Sequence, residues 1–253
     1  MIFYRERILH DQKTWLVFVL VLLIVNSDLW FLITQRQNLV SYLNPFLAAS
    51  LIGHYAHRMI SWLLPAYLFL GPAGWYERDH RTGLDTIVIP KLTKNRYFQL
   101  NLWSSFLTVF IIFLVVLTVN FVISTAVFAN GTGDPFGGPS QWKGYGFPDL
   151  ILEFAHPIIA NFAYIFAWSL LAGLYSALIS AFSFVFPKRS YMFFIAVLLW
   201  FIAITGDYSV LLAVQPFTEY AITFQLILYA VYIASYSLLI YVCYRYVVKR
   251  DVL

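Results

Sequence analysis

Six stretches of this 253-residue chain are apolar over enough residues to demand lipid, rather than a protein core, as their solvent. A helix rises about 1.5 Å per residue and needs about 20 apolar residues to cross the hydrocarbon layer. Segments 15–34, 58–76, 100–123, 158–186, 191–206 and 225–244 meet that demand. The fifth is the shortest; it is expected to continue past Gly206-Asp207 as a broken or re-entrant helix through 208–214, until Pro216 stops it. Composition agrees: 61% of residues are hydrophobic and 11% charged, where a soluble domain carries about a quarter charged residues. The reading is an all-α membrane protein with six transmembrane helices and a single membrane domain over 1–253, without internal repeat or linker. Segment 15–34 is too long for the apolar core of a signal peptide and has no small-residue cleavage site after it, so it reads as a retained first span.

Six spans place both termini on one side. The pieces 1–14, 77–99, 187–190 and 245–253 hold 13 of the 16 Lys and Arg residues, and basic residues gather on the cytoplasmic side of membrane proteins. The expected location is therefore a cell membrane, multi-pass, with both termini cytoplasmic. The net charge of +4 sits beside the spans and needs no nucleic acid to explain it. Residues 2–9 mix apolar and basic side chains at near-helical spacing and read as a helix lying in the inner interface. Segment 129–157 is the largest outer connector, rich in Gly and Pro, with helical character only at 149–155. The single Cys243 excludes an internal disulfide and a multi-cysteine metal site.

Motifs for bond chemistry are missing. There is no G-x-x-x-x-G-K-[ST] loop to bind ATP in this chain, no H-E-x-x-H and no G-x-S-x-G. Gly131-Thr-Gly-Asp134 lies in the glycine-rich outer connector and reads as a turn. Asp28 falls about 20 Å into the first span by helical rise, where a carboxylate is costly unless paired or wetted. His54, His57 and Arg58 lie at the outer end of the second span. These four residues form a candidate outer polar site, with Asp28 and Arg58 either paired or snorkelling separately. Ser169, Gly173, Ala177 and Ala181 place a small residue at every fourth position of the fourth span, a helix-packing face. Outer carboxylates Asp134, Asp149, Glu153, Asp207 and Glu219 form either an ordinary solvated face or a lure for a cationic substrate.

The connector between the second and third spans has an unusual order. Tyr76-Glu77 closes one span; Arg81-Thr-Gly83-Leu84, Ile87-Val-Ile-Pro90 and Lys94-Asn-Arg96-Tyr97 follow before the next. A short helix bounded by Gly83 and Pro90 would make a stiff, mixed-charge knob, which Glu77 anchors to neighbouring basic side chains or to a helix N-terminus. This order resembles the permeases of type-2 ATP-binding-cassette exporters, with Glu77, Gly83, Pro90 and Arg96 in the matching places and Thr82-Gly83 in reverse of the commonest order. The resemblance extends to six spans, an interfacial N-terminal helix and a broken region between the last two spans. It implies a coupling helix, with Glu77, Arg81, Gly83, Pro90, Lys94 and Arg96 docking on a cytoplasmic ATPase. ATP and Mg would be bound by that partner and no cofactor by this chain, which would not itself be an enzyme. A second permease chain, identical or homologous, would complete the unit.

Spans rich in aromatic and aliphatic residues favour a hydrophobic or amphipathic cargo such as a peptide, an antibiotic or a lipid-linked molecule, exported from the cytoplasm or inner leaflet. Two other readings fit the sequence: a six-span membrane enzyme using His54, His57 and Asp28, or a non-transporting immunity protein that sequesters a peptide.

Overall fold

The computed structural model describes residues 6–8, 10–34, 55–128, 148–186, 188–218 and 220–249. All regular structure among them is helical. Three helices are long and apolar enough to cross a membrane: α6 (Lys94–Phe128), α8 (Pro157–Val185) and α11 (Ile222–Lys249). They correspond to the third, fourth and sixth expected spans, the third and sixth extended at both ends and the fourth shifted by one residue. The architecture is that of a helical membrane protein.

α6 and α8 form the spine, packed together along much of their length, and α11 lies along α8. The stripe Ser169, Gly173, Ala177 and Ala181 is buried on α8. A Cβ at Gly173 would stand 2.9 Å from the Phe106 carbonyl oxygen of α6, so the two backbones approach here only because the side chain is a hydrogen. Nearly one turn on along α8, Ser105 and Ser176 share a hydrogen bond of 2.6 Å across the same seam. α11 is tied to α8 by Tyr229, whose hydroxyl donates to the Ala167 carbonyl at 3.0 Å. Its other side exposes Ile227, Val231, Leu238 and Val242, a row suited to lipid contact.

The first segment is α1 (Gln12–Thr34), packed on α6. Residues 6–8, the described part of the expected interfacial helix, are helical. The second expected span differs from the reading of one continuous helix. It is a chain of short pieces: α2 (Tyr55–Trp62), α3 (Leu64–Leu70), a 3-10 turn at Pro72–Gly74 and α4 (Trp75–Thr82). Pro65 is the cause of the first break. It has no N–H for the Ser61 carbonyl one turn back, and the Trp200 indole donates to that oxygen instead, at 2.6 Å. Gly71-Pro72 causes the second break.

The fifth segment does break where expected. α9 (Arg189–Ile204) ends before Gly206, which adopts φ +88. A single turn, α10 (Val210–Ala213), then follows with Ser209 as its cap, its hydroxyl accepting from the Leu211 N–H. Helix α7 (Pro148–Ala155) coincides with the helical stretch expected at 149–155. The Gly131–Asp134 motif lies outside the described residues.

Gly173→Val is expected to lower the unfolding temperature of the detergent-solubilised protein, because the spine must part by several tenths of an ångström; overpacking of this kind costs about 1–3 kcal/mol. Gly71→Ala is the matched control, since its nearest neighbour would be an ordinary 3.4 Å away. Equal melting of both variants would mean the α6–α8 contact is looser than described.

Candidate functional site

The connector folds into a knob of two short helices at the end of the bundle where the described basic residues gather. α4 ends at Gly83, whose φ of 74 turns the chain into α5 (Leu84–Leu92). That left-handed conformation favours glycine for its missing Cβ. The Thr86 hydroxyl donates to the Gly83 carbonyl at 2.6 Å and pins the turn. The expected helix between Gly83 and Pro90 runs on to Leu92. A proline in the last turn forfeits only the bond to the Thr86 carbonyl, and the Thr93 N–H closes the end on the Ile89 carbonyl at 2.9 Å.

Asp79 fixes the knob to the bundle. It is buried on α4, and its carboxylate accepts two bonds of 2.7 Å from the Arg7 guanidinium and one from the Tyr97 hydroxyl. Arg7 also donates to the Trp75 carbonyl at 3.1 Å and lies over the Trp75 ring, 5.0 Å from its centroid. A single carboxylate thus joins the segment before α1, the knob and the first turn of α6. Bidentate geometry is the strong form of this pairing.

A second carboxylate completes the seat. Asp11 Oδ2 accepts from the Trp75 indole at 2.6 Å, from Arg78 at 2.9 Å and from the Thr14 hydroxyl at 2.7 Å. Burial opposes its charge, but these bonds and the Arg78 charge outweigh it and hold the carboxyl below the usual carboxylate range. Arg78 reaches back to the Leu70 and Gly71 carbonyls at 2.9 and 3.2 Å. On the far side of the knob Tyr76 stacks on Phe184 of α8, ring centroids 3.6 Å apart, and His80 pairs with buried Asp85 at 2.7 Å.

The six expected coupling residues are distributed over this knob. Glu77 is half-buried in the first turn of α4, near enough for its charge to act on Arg78. Asp79 and Asp11 add hydrogen-bonded anchors beside it. Arg81 and Arg96 are exposed, Lys94 is half-buried at the start of α6, Gly83 makes the turn and Pro90 lies exposed on α5. Ile87, 58% exposed, shares an outward face with Pro90 and Lys91 one turn on. Of the outer polar site, His54 and the side chains of Asp28, His57 and Arg58 lie outside the described residues. Sequence reasoning missed Arg7, Asp11, Trp75 and Asp79 as partners. The available signal was chemical: an indole and a phenol bordering the connector each need an acceptor when buried.

These features define a helical membrane protein with a basic, structured knob between two of its segments. No family model matches the chain, and no solved structure matches it. It is similar to the uncharacterized protein YybM of Bacillus subtilis (strain 168), 28% identical over 217 residues that cover 85% of this chain and 84% of that protein.

Asp79→Ala leaves the half-buried Arg7 guanidinium without its carboxylate; breaking a fully buried pair costs about 3–5 kcal/mol, and one whose Arg reaches solvent costs less. The variant is expected to be cleaved faster by protease within 75–97 than the wild type. Acid should act on the other anchor. A carboxyl with a lowered folded value stabilises fully above its ordinary value of about 3.9 and loses that contribution as pH falls through the folded value. The expected outcome is an increase in knob cleavage by an acid-active protease across that window, absent in Asp11→Asn.

Proposed function

We propose that this chain is the membrane-spanning permease subunit of an ATP-binding-cassette exporter and that the knob is the surface on which a separate ATPase docks. The observation that carries the reading is the combination of a rigidly seated knob with an outward face of Ile87, Pro90 and Lys91 flanked by Arg81 and Arg96. A loop that merely turns has no need of a buried bidentate ion pair. A surface that receives force does, because compliance in its seat would dissipate the stroke. The orientation follows from charge: the basic end faces the cytoplasm, where the ATPase is found.

In this reading two permease chains and two ATPase chains form the working unit. The partner binds ATP and Mg; this chain holds neither. ATP-driven closure of the ATPase pair presses on α5. Through Asp79 and Tyr97 the push reaches α1 and α6 together, and through Tyr76 and Phe184 it reaches α8. Glu77 sets the charge at the start of α4, Gly83 the angle between α4 and α5, and Arg81, Lys94 and Arg96 the basic rim. The membrane part then switches between states of different cargo affinity, the condition for ATP to drive net movement. The apolar, aromatic helices suit a hydrophobic or amphipathic cargo.

The test is a tagged pull-down from native membranes in mild detergent. The wild type is expected to bring down an ATPase that Ile87→Asp and Gly83→Pro release, while both variants still elute as folded, monodisperse protein. An ATPase absent from the wild-type sample, or retained by both variants, would sink the permease reading.

A further inference from the structure

At the end of the bundle opposite the knob, α7, the first turns of α8 and α11 and the broken 205–221 segment meet. There Glu153 is buried, 7% exposed, beside a cavity of about 370 Å³ with largely apolar walls that include Ile159, Ala163, Leu226 and Tyr229. Oε2 of Glu153 accepts from the Phe217 N–H at 2.5 Å. Phe217 holds a φ of 56, a conformation costly for a bulky side chain and stabilised by that bond. Asp149, one turn earlier on α7, accepts from the Ile222 N–H at 2.9 Å and caps α11. Gln225 of α11 donates through Nε2 to the Leu212 and Gln215 carbonyls, both at 2.9 Å, and lies 3.1 Å from the Thr218 hydroxyl oxygen. The broken segment is therefore suspended from Glu153 and Gln225.

These two side chains meet at Tyr164. Its hydroxyl oxygen lies 2.7 Å from Glu153 Oε1 and 2.6 Å from Gln225 Oε1. The Gln225 amide is oriented by the bonds its nitrogen donates, so its oxygen faces Tyr164 and only accepts. A phenol carries one proton, and an ionised carboxylate carries none. With Glu153 ionised, one of the two short contacts would bring lone pairs together. Both are satisfied when Glu153 is the neutral acid, donating to Tyr164, which donates to Gln225.

We propose that Glu153 is a proton-binding site: the neutral acid holds the 205–221 segment through Tyr164 and Gln225, and loss of its proton loosens that hold. On ionisation the proton leaves to solvent and Tyr164 turns its own proton to the carboxylate. Gln225 Oε1 then loses its donor, and the amide is no longer held in the orientation that clamps Leu212 and Gln215. Burial pushes the carboxyl above the ordinary glutamate range and outweighs the hydrogen bonds that Tyr164 and the Phe217 amide would give the charged form; the Asp149 charge adds to the rise. The other titratable groups facing the site are His156 at the start of α8, Tyr164 on α8 and Tyr229 on α11; no Lys or Arg is among the residues lining the cavity. Glu219 lies outside the described residues. An acid with a raised folded value stabilises fully below its ordinary value of about 4.3 and loses that contribution as pH rises through the folded value. The inference is independent of what docks on the knob.

The test reads the proton and the segment separately, on the full chain in detergent or vesicles. Infrared difference spectra across a pH titration should show a carboxylic-acid carbonyl band that disappears above the ordinary glutamate range and is missing in Glu153→Gln. Hydrogen exchange of peptides within 205–221, corrected for intrinsic rates, should lose protection over the same pH interval. In Glu153→Gln, whose amide donates to Tyr164 as the acid does, protection should persist at every pH; in Glu153→Ala it should be lost at every pH. Tyr164→Phe keeps the packing but removes the hydroxyl that links the acid to Gln225. Protection of 205–221 should fall and lose its dependence on pH. A band confined to the ordinary range, pH-independent protection in the wild type, or wild-type protection in Tyr164→Phe would overturn the proposal.

Discussion

A backbone carbonyl or amide freed where a helix breaks in apolar surroundings has no water to turn to, and must find a partner in the protein. This constraint organises the molecule. The Ser61 carbonyl orphaned by Pro65 takes the Trp200 indole. The Leu70 and Gly71 carbonyls, left where α3 gives way to the 3-10 turn, take Arg78. The Ile204 carbonyl at the end of α9 takes the Ser209 hydroxyl, at 2.9 Å. Leu212 and Gln215 take Gln225, Phe217 takes Glu153, and Ile222 takes Asp149. An unsatisfied buried group costs about 1–3 kcal/mol, so these partners decide whether a break exists as one structure or as many.

The partners differ in kind at the two ends, and the difference has mechanical consequences. At the knob they are charged: Arg7, Arg78, Asp11 and Asp79 form short, multiply bonded pairs that resist displacement. At the far break the central partner is an amide, backed by a phenol and a carboxyl that share protons. Such a set has two arrangements of similar geometry that differ by one proton. The knob is built to stay put, and the far break to be held conditionally. Between them α6, α8 and α11 run unbroken.

What was legible in the sequence follows the same division. The third, fourth and sixth spans are read from hydropathy because nothing interrupts them. The break after Ile204 is read from Gly206-Asp207 and Pro216. The second span misleads because Pro65 and Gly71-Pro72 sit inside an apolar run, where hydropathy averages over the break and only the missing N–H reveals it. Gly173 is visible as a member of a small-residue stripe, though its partner, the Phe106 carbonyl, is not. The site is harder still. Asp79 lies in a basic, polar connector, where a carboxylate reads as solvated, and its partners are 72 and 18 residues away. Glu153 reads as one of several outer carboxylates, yet it faces inward to a backbone amide 64 residues on. Local spacing carries helix ends and faces; it does not carry which distant carbonyl a side chain will satisfy.

The seat of the knob, more than its turn, governs what a push on it accomplishes. Gly83 sets an angle pinned only locally by Thr86, with open space where a Cβ would stand, so stiffness at α5 has to come from elsewhere. Asp79 supplies it by bonding to groups on either side of the connector at once. A displacement of α4 that kept the Asp79–Arg7 bonds would carry the start of α1, and one that kept the Tyr97 bond would carry α6. Moving the knob alone would break charged bonds in a buried setting, at a cost of several kcal/mol. The Tyr76–Phe184 stack adds α8 to the same load. α8 also bears Tyr164, 20 residues before Phe184 and about 30 Å away by helical rise. In the proposed reading, force at one end and protonation at the other therefore act on a single stiff helix, and a coupling between them needs no further moving part.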